Sequence, residues 1–322
     1  MSIATEPAGD VVRASWRVFL STYEPLRPEL YRYCRHLTGS PWDAEDTVQD
    51  ALARAFVSLA LMTEPPQNPR AWLFRIASNL WLNRIRRRDE ILSESAMHDA
   101  GITQSDVSQA SDPRSLREAA GTLLGQLTPQ ERAAVVLKDA FGLSLEEVAE
   151  VLATTPGAIK AALHRGRASL SDPRAEPRAG GVAPQVLDAF CRAFNERDLE
   201  ALTATLLESA TLEYPGFKIE AGADAIRAGT LKGTLLGCPE AGYEVVTPPR
   251  CEAREHRGEW LLLWWSGDEV HAVVRTRLNG DHISQFVSYY HAPEVMSEIC
   301  GELGVAYRTH GYRPYDQAQE QQ

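Results

Sequence analysis

"SLEEVAEVLATTPGAIKAALHRGRASL", residues 144–170, decides how the middle of this chain folds. It opens with a capping box, in which the Ser144 hydroxyl and the Glu147 carboxylate satisfy first-turn N–H groups reciprocally. Val148, Ala149, Val151 and Leu152 then repeat at helical spacing and make an inner face. Thr155 as N-cap and Pro156 at the first helical position start a second helix. Its inner face is Ile159, Ala162, Leu163 and Leu170. Ala153 and Thr154 alone separate the two, so the helices cross steeply, which is helix-turn-helix geometry.

Off the apolar stripe of the second helix stand Lys160, Ala161, His164, Arg165 and Arg167, with no acid among them. A helix-turn-helix inserts its second helix in the major groove by the N-terminal half. Lys and Arg donate to guanine or neutralise phosphate, and Ala allows close approach or a thymine methyl contact. Pro156 and Gly157 leave few side chains for bases at the helix start. A plain solvated amphipathic face would carry the same residues, and this stretch alone does not choose between the two. Glu146, Glu147 and Glu150 on the first helix suit that helix's N-terminal dipole and not DNA.

The basic helix sits in a 322-residue chain of net charge −11. Such an acidic balance argues against nucleic acid unless base is clustered locally. The length implies two or three domains. Five scattered cysteines, Cys34, Cys191, Cys238, Cys251 and Cys300, form no Cys-x-x-Cys pair, which speaks against a disulfide framework and a zinc site. The opening "MSIATEPAGD" has neither a basic start nor an apolar run, and no stretch approaches the roughly 20 apolar residues of a membrane span. The expectation is a cytoplasmic protein with no membrane contact. No metal or nucleotide motif appears, so no cofactor is expected.

Working outward, "SESAMHDAGITQSDVSQASDPR" (93–114) and "SDPRAEPRAGGVAP" (171–184) lack apolar periodicity and read as connectors. Before the first lies an all-helical piece, with "RPELYRYCRHL" (27–37) and then Val48, Leu52, Phe56 and Leu59 at helical spacing. Ser40, Pro41 and Asp43 write the start of its second helix. "NPRAWLFRIASNLWLNRIRRRDE" (68–90) follows, with Trp72, Leu73, Ile76, Leu80 and Ile85 as the expected buried stripe. Arg70, Arg75, Arg84, Arg86, Arg87 and Arg88 crowd the remainder, and base interleaved with aromatics suits single-stranded nucleic acid. Between the connectors, "TPQE" (128–131) is another capping box ahead of the helix-turn-helix.

"YRYCRHLTGSPWDAEDTVQDALARAF" with "NPRAWLFRIASNLWLNRIRRRD" resembles region two, and "LLGQLTPQERAAVVLKDAFGLSLEEVAEVLATTPGAIKAALHRGRASL" resembles region four, of the extracytoplasmic-function (ECF) group of sigma-70 factors. The resemblance covers roughly residues 15–171. It implies a transcription initiation factor that binds core RNA polymerase, directs it to promoter DNA and has no catalytic step. Asp46, Gln49 and Asp50 would dock on the polymerase clamp. Arg70, Arg75, Asn79, Asn83, Arg84, Arg86, Arg87 and Arg88 would hold the opened minus-ten element, with an extruded base read in a pocket. Lys160, Ala161, His164, Arg165 and Arg167 would read the minus-thirty-five duplex. Asn83 departs from the Asp often found there.

Some 140 residues remain. "PQVLDAFCRAFNERDLEALTATL" reads as two helices, "SATLEYPG" as a strand and "AGADAIRAGTL" as a short helix. "YEVVTPPRCEAREH", "EWLLLWWSG", "EVHAVVRTRLNG" and "HISQFVSYYHA" read as an antiparallel meander, making an α+β unit. This piece resembles the SnoaL-like branch of the NTF2-like cone fold, which implies regulation in cis through intramolecular contacts with the sigma domains. Tyr214, Trp264, Asp268, His271, Arg275 and Tyr289 are candidates for a pocket taking a small-molecule ligand. The expected organisation is region two over 12–92, a linker over 93–114, region four over 115–171, a linker over 172–183, the α+β cone over 184–300 and a tail over 301–322. Two other readings stand beside the sigma factor: a helix-turn-helix regulator sensing a small molecule in the cone, and a cone-fold cyclase or isomerase.

Overall fold

A computed structural model describes residues 22–62, 64–95, 127–169, 184–237 and 247–310, together with Phe19, Leu124 and Val245. The connectors at 96–114 and 171–183, Leu170 and Cys238 lie outside the described residues. The chain divides into two units, Met1–Glu176 and Pro177–Gln322.

The first unit is helical. Helices α1 (Arg27–Thr38), α2 (Pro41–Leu61) and α3 (Pro69–Ser95) form one bundle. α1 ends on Gly39 at φ 73°, a left-handed conformation that glycine adopts without strain. Ser40 then accepts from the Asp43 N–H at 3.3 Å and starts α2, and Asn68 Oδ1 accepts from the Ala71 N–H at 3.0 Å at the start of α3. Burial of Leu30, Tyr33, Cys34 and Leu37 against Val48, Ala51, Leu52 and Ala55 makes the core. Within it Arg27 and Glu45, both essentially inaccessible, pair at 2.5 Å and tie α1 to α2.

The buried face of α3 is rotated from the expected one. Leu73, Phe74, Ala77, Ser78 and Trp81 are buried, whereas Trp72, Ile76, Leu80 and Ile85 are half-buried. Two contacts explain the rotation. Ser78 enters the core because its hydroxyl meets the Tyr33 hydroxyl at 2.7 Å and donates to the Phe74 carbonyl, and α3 is also covered by helices from later in the chain.

Those helices are α4 (Pro129–Val135), continued by a π turn at Val136–Ala140, α5 (Leu145–Val151) and α6 (Pro156–Ser169). Thr128 and Ser144 each close a full capping box, with Glu131 and Glu147. Thr155 accepts from the Ala158 N–H and starts α6. Ala153, at φ 51°, turns the chain sharply between α5 and α6. α6 approaches α4 closely at Gly166, where a β-carbon would stand 3.0 Å from Val135 Cγ2. Phe141, just past the π turn, wedges its ring edge-on against Tyr33 and Phe74. Arg132 donates to the Leu37 carbonyl at 2.7 Å and lies over Trp81.

The second unit is α+β. Helices α7 (Gln185–Glu196) and α8 (Leu199–Ala204) lead into β1 (Leu206–Tyr214) and β2 (Lys218–Ala221). α9 (Ala223–Ile226) passes through a π turn, Arg227–Leu231, into α10 (Lys232–Leu236). β3 (Pro249–His256), β4 (Glu259–Ser266), β5 (Glu269–Asn279) and β6 (His282–Ser288) follow, then α11 (Pro293–Leu303). The strand order is β2-β1-β6-β5-β4-β3. β3 to β6 form the expected antiparallel meander, but β1 joins β6 in parallel. One face packs Leu262, Trp264, Val274 and Phe286 against Leu187, Phe190, Phe194 and Leu202 of the helices. The unit does not stop at residue 300. α11 packs on β5, and the Val270 N–H donates to the Ala306 carbonyl while the Arg308 N–H donates back to Val270. Residues 301–310 therefore belong to the folded unit, because they satisfy backbone groups of β5 that β6 does not reach.

Candidate nucleic-acid interface

Three exposed surfaces of the first unit carry the expected chemistry. On α6, Lys160, Ala161, His164, Arg165 and Arg167 are all exposed, while Ile159, Ala162 and Leu163 are buried. The helix thus turns its apolar stripe onto α4 and α5 and its base outward. Two of the cations also meet acids of their own unit. Arg165 Nε donates to Glu131 at 2.7 Å, and Arg167 donates to Asp139 at 2.5 Å and 3.0 Å. The Arg165 guanidinium beside Glu131 holds that carboxyl below the usual range, and Asp139 raises Arg167 above its own. Both arginines remain more than half exposed.

On α3, Arg75, Asn79, Asn83 and Arg87 are exposed at steps of four residues, one stripe along the helix. Arg86 and Arg88 flank it, also exposed; Arg86 donates to Asn83 Oδ1 at 3.1 Å and approaches Glu90 at 4.0 Å. Arg84 leans the other way, donating to Asp50 at 2.6 Å and Thr47 at 3.2 Å on α2. Arg70 does not join the stripe. It is half-buried, grips Glu29 through three bonds and reaches the Phe141 carbonyl at 3.4 Å. Glu29 raises its pKa accordingly. The pairing with Glu29 ties it to α1 and holds it off the stripe.

A cleft of about 360 Å³ opens at the start of α3, lined by Pro66, Gln67, Asn68, Trp72 and Arg75, with Glu150 and Val151 of α5 on its other wall. Sequence reading placed Trp72 in the core and passed over Pro66 and Gln67; the signal was the turn-forming "PPQN" ahead of a capped helix.

The third surface runs along α2. Asp46 and Asp50 are exposed, and Val57 and Leu61 continue the same side, 60% and 83% exposed. Gln49 is half-buried and donates to Glu45 Oε1 at 2.7 Å, so it braces the buried Arg27–Glu45 pair. The apolar end of this side was missed, because Val57 and Leu61 fit a core stripe equally well by spacing.

In the second unit the pocket candidates are not brought together. Trp264 faces the helix-covered core. Arg275 lies an odd number of positions from Ala272, the cross-strand partner of Trp264, and so points from the opposite face, where it pairs with Glu259. Asp268 is exposed in the turn between β4 and β5. Tyr214 packs near Phe217 and His291, His271 lies against His310, and Tyr289 is buried. Strand alternation, obscured by a bulge between Trp264 and Trp265, separates what proximity in sequence suggested. Among the described residues no group of three or more His, Cys, Asp or Glu is placed to hold a metal ion.

The first unit thus joins a helix-turn-helix with an exposed basic second helix to a helical bundle that has its own polar and basic stripe. Comparison specifies it further. Residues 22–91 match Sigma-70 region 2, and residues 117–170 match Sigma-70, region 4. The ECF RNA polymerase sigma factor SigE of Mycolicibacterium smegmatis is 36% identical over 151 residues, 44% of this chain and 56% of SigE. SigW of Bacillus subtilis, also an ECF RNA polymerase sigma factor, is 30% identical over 162 residues, 47% of this chain and 86% of SigW. The crystal structure of the Mycobacterium tuberculosis extracytoplasmic function sigma factor SigJ aligns over 85% of this chain and 97% of SigJ, at 21% identity and a TM-score of 0.33. The chain belongs to the ECF sigma factor family of the sigma-70 group. It spans little more than half of SigE.

Proposed function

We propose that this chain is a transcription initiation factor that binds core RNA polymerase and directs it to promoter DNA, without a catalytic step of its own. Region two holds the melted minus-ten element along Arg75, Asn79, Asn83 and Arg87, with the cleft at Trp72 and Arg75 beside it. Region four reads the minus-thirty-five duplex through Lys160, Ala161, His164, Arg165 and Arg167. The acidic and apolar side of α2, from Asp46 and Asp50 to Val57 and Leu61, docks on the polymerase, where charge complementarity steers the encounter. The protein acts where the polymerase is, in the cytoplasm; no helix among the described residues is long and apolar enough to cross a membrane.

The observation that carries this reading is the segregation of charge. In a chain of net charge −11, one exposed side of α6 carries Lys160, His164, Arg165 and Arg167 with no acid on that helix, and one exposed side of α3 carries Arg75 and Arg87 with Asn79 and Asn83, while Asp46 and Asp50 stand exposed on α2 beside Arg54. DNA needs only that local field, because screening confines it to roughly 10 Å. We further assign the C-terminal unit to the SnoaL-like cone fold and to regulation of initiation in cis, through contacts with the sigma regions or a small-molecule ligand.

Run-off transcription with purified core polymerase tests both assignments. The full chain is expected to direct initiation from a subset of promoters, and residues 1–175 alone to initiate with altered activity. DNA binding without any core-dependent initiation would overturn the sigma assignment, and identical activity of the two proteins would overturn the cis-regulatory one.

A further inference from the structure

The C-terminal unit holds two thiols that promoter recognition does not use. Cys191 stands on α7 and Cys251 on β3, 60 residues apart in the chain, with their Sγ atoms 3.5 Å apart. Neither is in a disulfide. The approach is held in register by a neighbouring side chain. Asn195, one helical turn beyond Cys191, donates from Nδ2 to the Cys251 carbonyl at 3.1 Å and accepts the Cys251 N–H on Oδ1 at 2.7 Å. β3 is an edge strand, and this pair of hydrogen bonds satisfies backbone groups that no further strand covers. It also fixes which residue of β3 faces Cys191.

The two thiols are unequal. Cys251 is buried beside Trp264, its cross-strand partner; Cys191 is half-buried, within reach of a small solute. A hydrogen bond from Cys251 draws the Cys191 thiol below its usual range, while burial, and then Cys191 itself, push Cys251 well above. Of the two, Cys191 is therefore the more readily ionised and the more accessible, and thiolate character with access governs oxidation. Cys34 and Cys300 are buried with their thiols pushed up, Cys300 to about 12, as befits inert packing groups.

We propose that Cys191 and Cys251 are an oxidation site at which a hydroperoxide closes a disulfide, tying α7 covalently to β3. The Cys191 thiolate attacks the peroxide O–O bond, forms a sulfenic acid and releases hydroxide, or an alkoxide from an organic peroxide. The Cys251 sulfur then attacks Cys191 Sγ. The S–S bond forms, the S–O bond breaks, and the departing hydroxide leaves with the Cys251 proton as water. Two thiols and one peroxide thus yield one disulfide and two waters, or one water and one alcohol, with the peroxide as the two-electron oxidant. A disulfide bond is about 2.05 Å long, so the sulfurs approach by a further ~1.5 Å, a displacement that side-chain rotation on α7 supplies.

The full-length protein is treated with stoichiometric hydrogen peroxide, free thiols are alkylated, and tryptic peptides are mapped by mass. The expected product is a Cys191–Cys251 cross-linked peptide that has lost two hydrogens and separates on reduction with dithiothreitol. Cys191→Ser removes the cross-link, Cys238→Ser retains it, and Asn195→Ala slows it by loosening the register. Cys251→Ser buries a hydroxyl in an apolar core and is expected to unfold the unit, so the mapping rests on the other three variants. Oxidation of Cys191 to sulfinic acid with Cys251 still alkylatable would overturn the proposal. So would a cross-link that forms equally fast in urea, because the pairing would then owe nothing to the fold.

Discussion

At the scale of single residues, the cations of α6 divide into two kinds. Lys160 and His164 are exposed and have no acidic partner shown among the described residues, whereas Arg165 and Arg167 rest on Glu131 and Asp139. The Arg167–Asp139 pair is exposed on both sides and screened by solvent, so a phosphate or guanine edge offers that guanidinium a comparable or better partner, whereas Arg165 is held by a carboxylate only 10% exposed. The pairing with Asp139 therefore parks Arg167 without disabling it. Lys160→Ala is expected to weaken minus-thirty-five binding by about 1–3 kcal/mol in a fluorescence-anisotropy titration with the holoenzyme, if the ammonium donates to a base edge. Asp139→Asn is expected to act in the opposite direction and tighten binding, since it frees Arg167 from a competitor. Weaker binding by Asp139→Asn would show that the acid positions the arginine instead of competing for it.

Sequence alone was a fair guide to which side chains of α6 point outward, because caps and helical spacing are local. It did not anticipate the packing of Arg70 and Phe141. One completes an ion pair with Glu29 and the other plugs the groove between Tyr33 and Phe74, and both contacts join residues far apart in the chain. The Cys191–Cys251 approach escaped it for the same reason.

At the scale of elements, capping boxes and the steep α5–α6 turn were legible, while the partner of each face was not. The buried side of α3 turned with Ser78 toward Tyr33, a polar contact that no apolar pattern marks. In the sheet, the meander of β3 to β6 followed from local strand signals. The parallel pairing of β1 with β6 is set by a crossover through α9 and α10, and β2 and α11 were not anticipated. Packing makes definite demands at two points. Gly166 lets α6 rest on α4, with a β-carbon there meeting Val135 at 3.0 Å, so Gly166→Leu is expected to destabilise the first unit by about 1–3 kcal/mol in urea unfolding. Unchanged stability would mean that α6 is free to shift.

The second point is Glu302 on α11. Burial alone would push its carboxyl up, but His256 at 2.7 Å and Arg257 at 2.5 Å outweigh it and hold the carboxyl below the usual range. A group depressed on folding stabilises above its unfolded pKa, and that contribution fades as pH falls through the folded value. Glu302→Gln is accordingly expected to cost about 1–2 kcal/mol near neutral pH, measured by chemical unfolding of the C-terminal unit. The difference from the parent should narrow as pH falls below the ordinary glutamate pKa of about 4.3. A cost independent of pH would remove the charge from the explanation.

At the scale of the whole molecule, an acidic protein is assigned to a polyanionic ligand, and the account holds only if charge acts locally. The ordinary reading of a net charge of −11 is repulsion from DNA. Against it stand two helical faces rich in base, Lys160, His164, Arg165 and Arg167 on α6 and Arg75 and Arg87 on α3, of which Arg165 and Arg167 are held by Glu131 and Asp139. Family membership, expected from region two and region four motifs, agrees with that division, since the matched segments, 22–91 and 117–170, contain both basic faces.

The salt dependence of promoter affinity tests this most directly. Affinity of the holoenzyme for a promoter fragment is measured across a salt series, with the parent chain and with Lys160→Ala, Arg165→Ala and Arg167→Ala combined. Removing a cation that neutralises one phosphate should reduce the slope of log K against log salt by about one, so the triple variant is predicted to show a distinctly shallower slope and weaker binding at every salt concentration. An identical slope and affinity would contradict the account, because the basic face of α6 would then play no part in holding DNA.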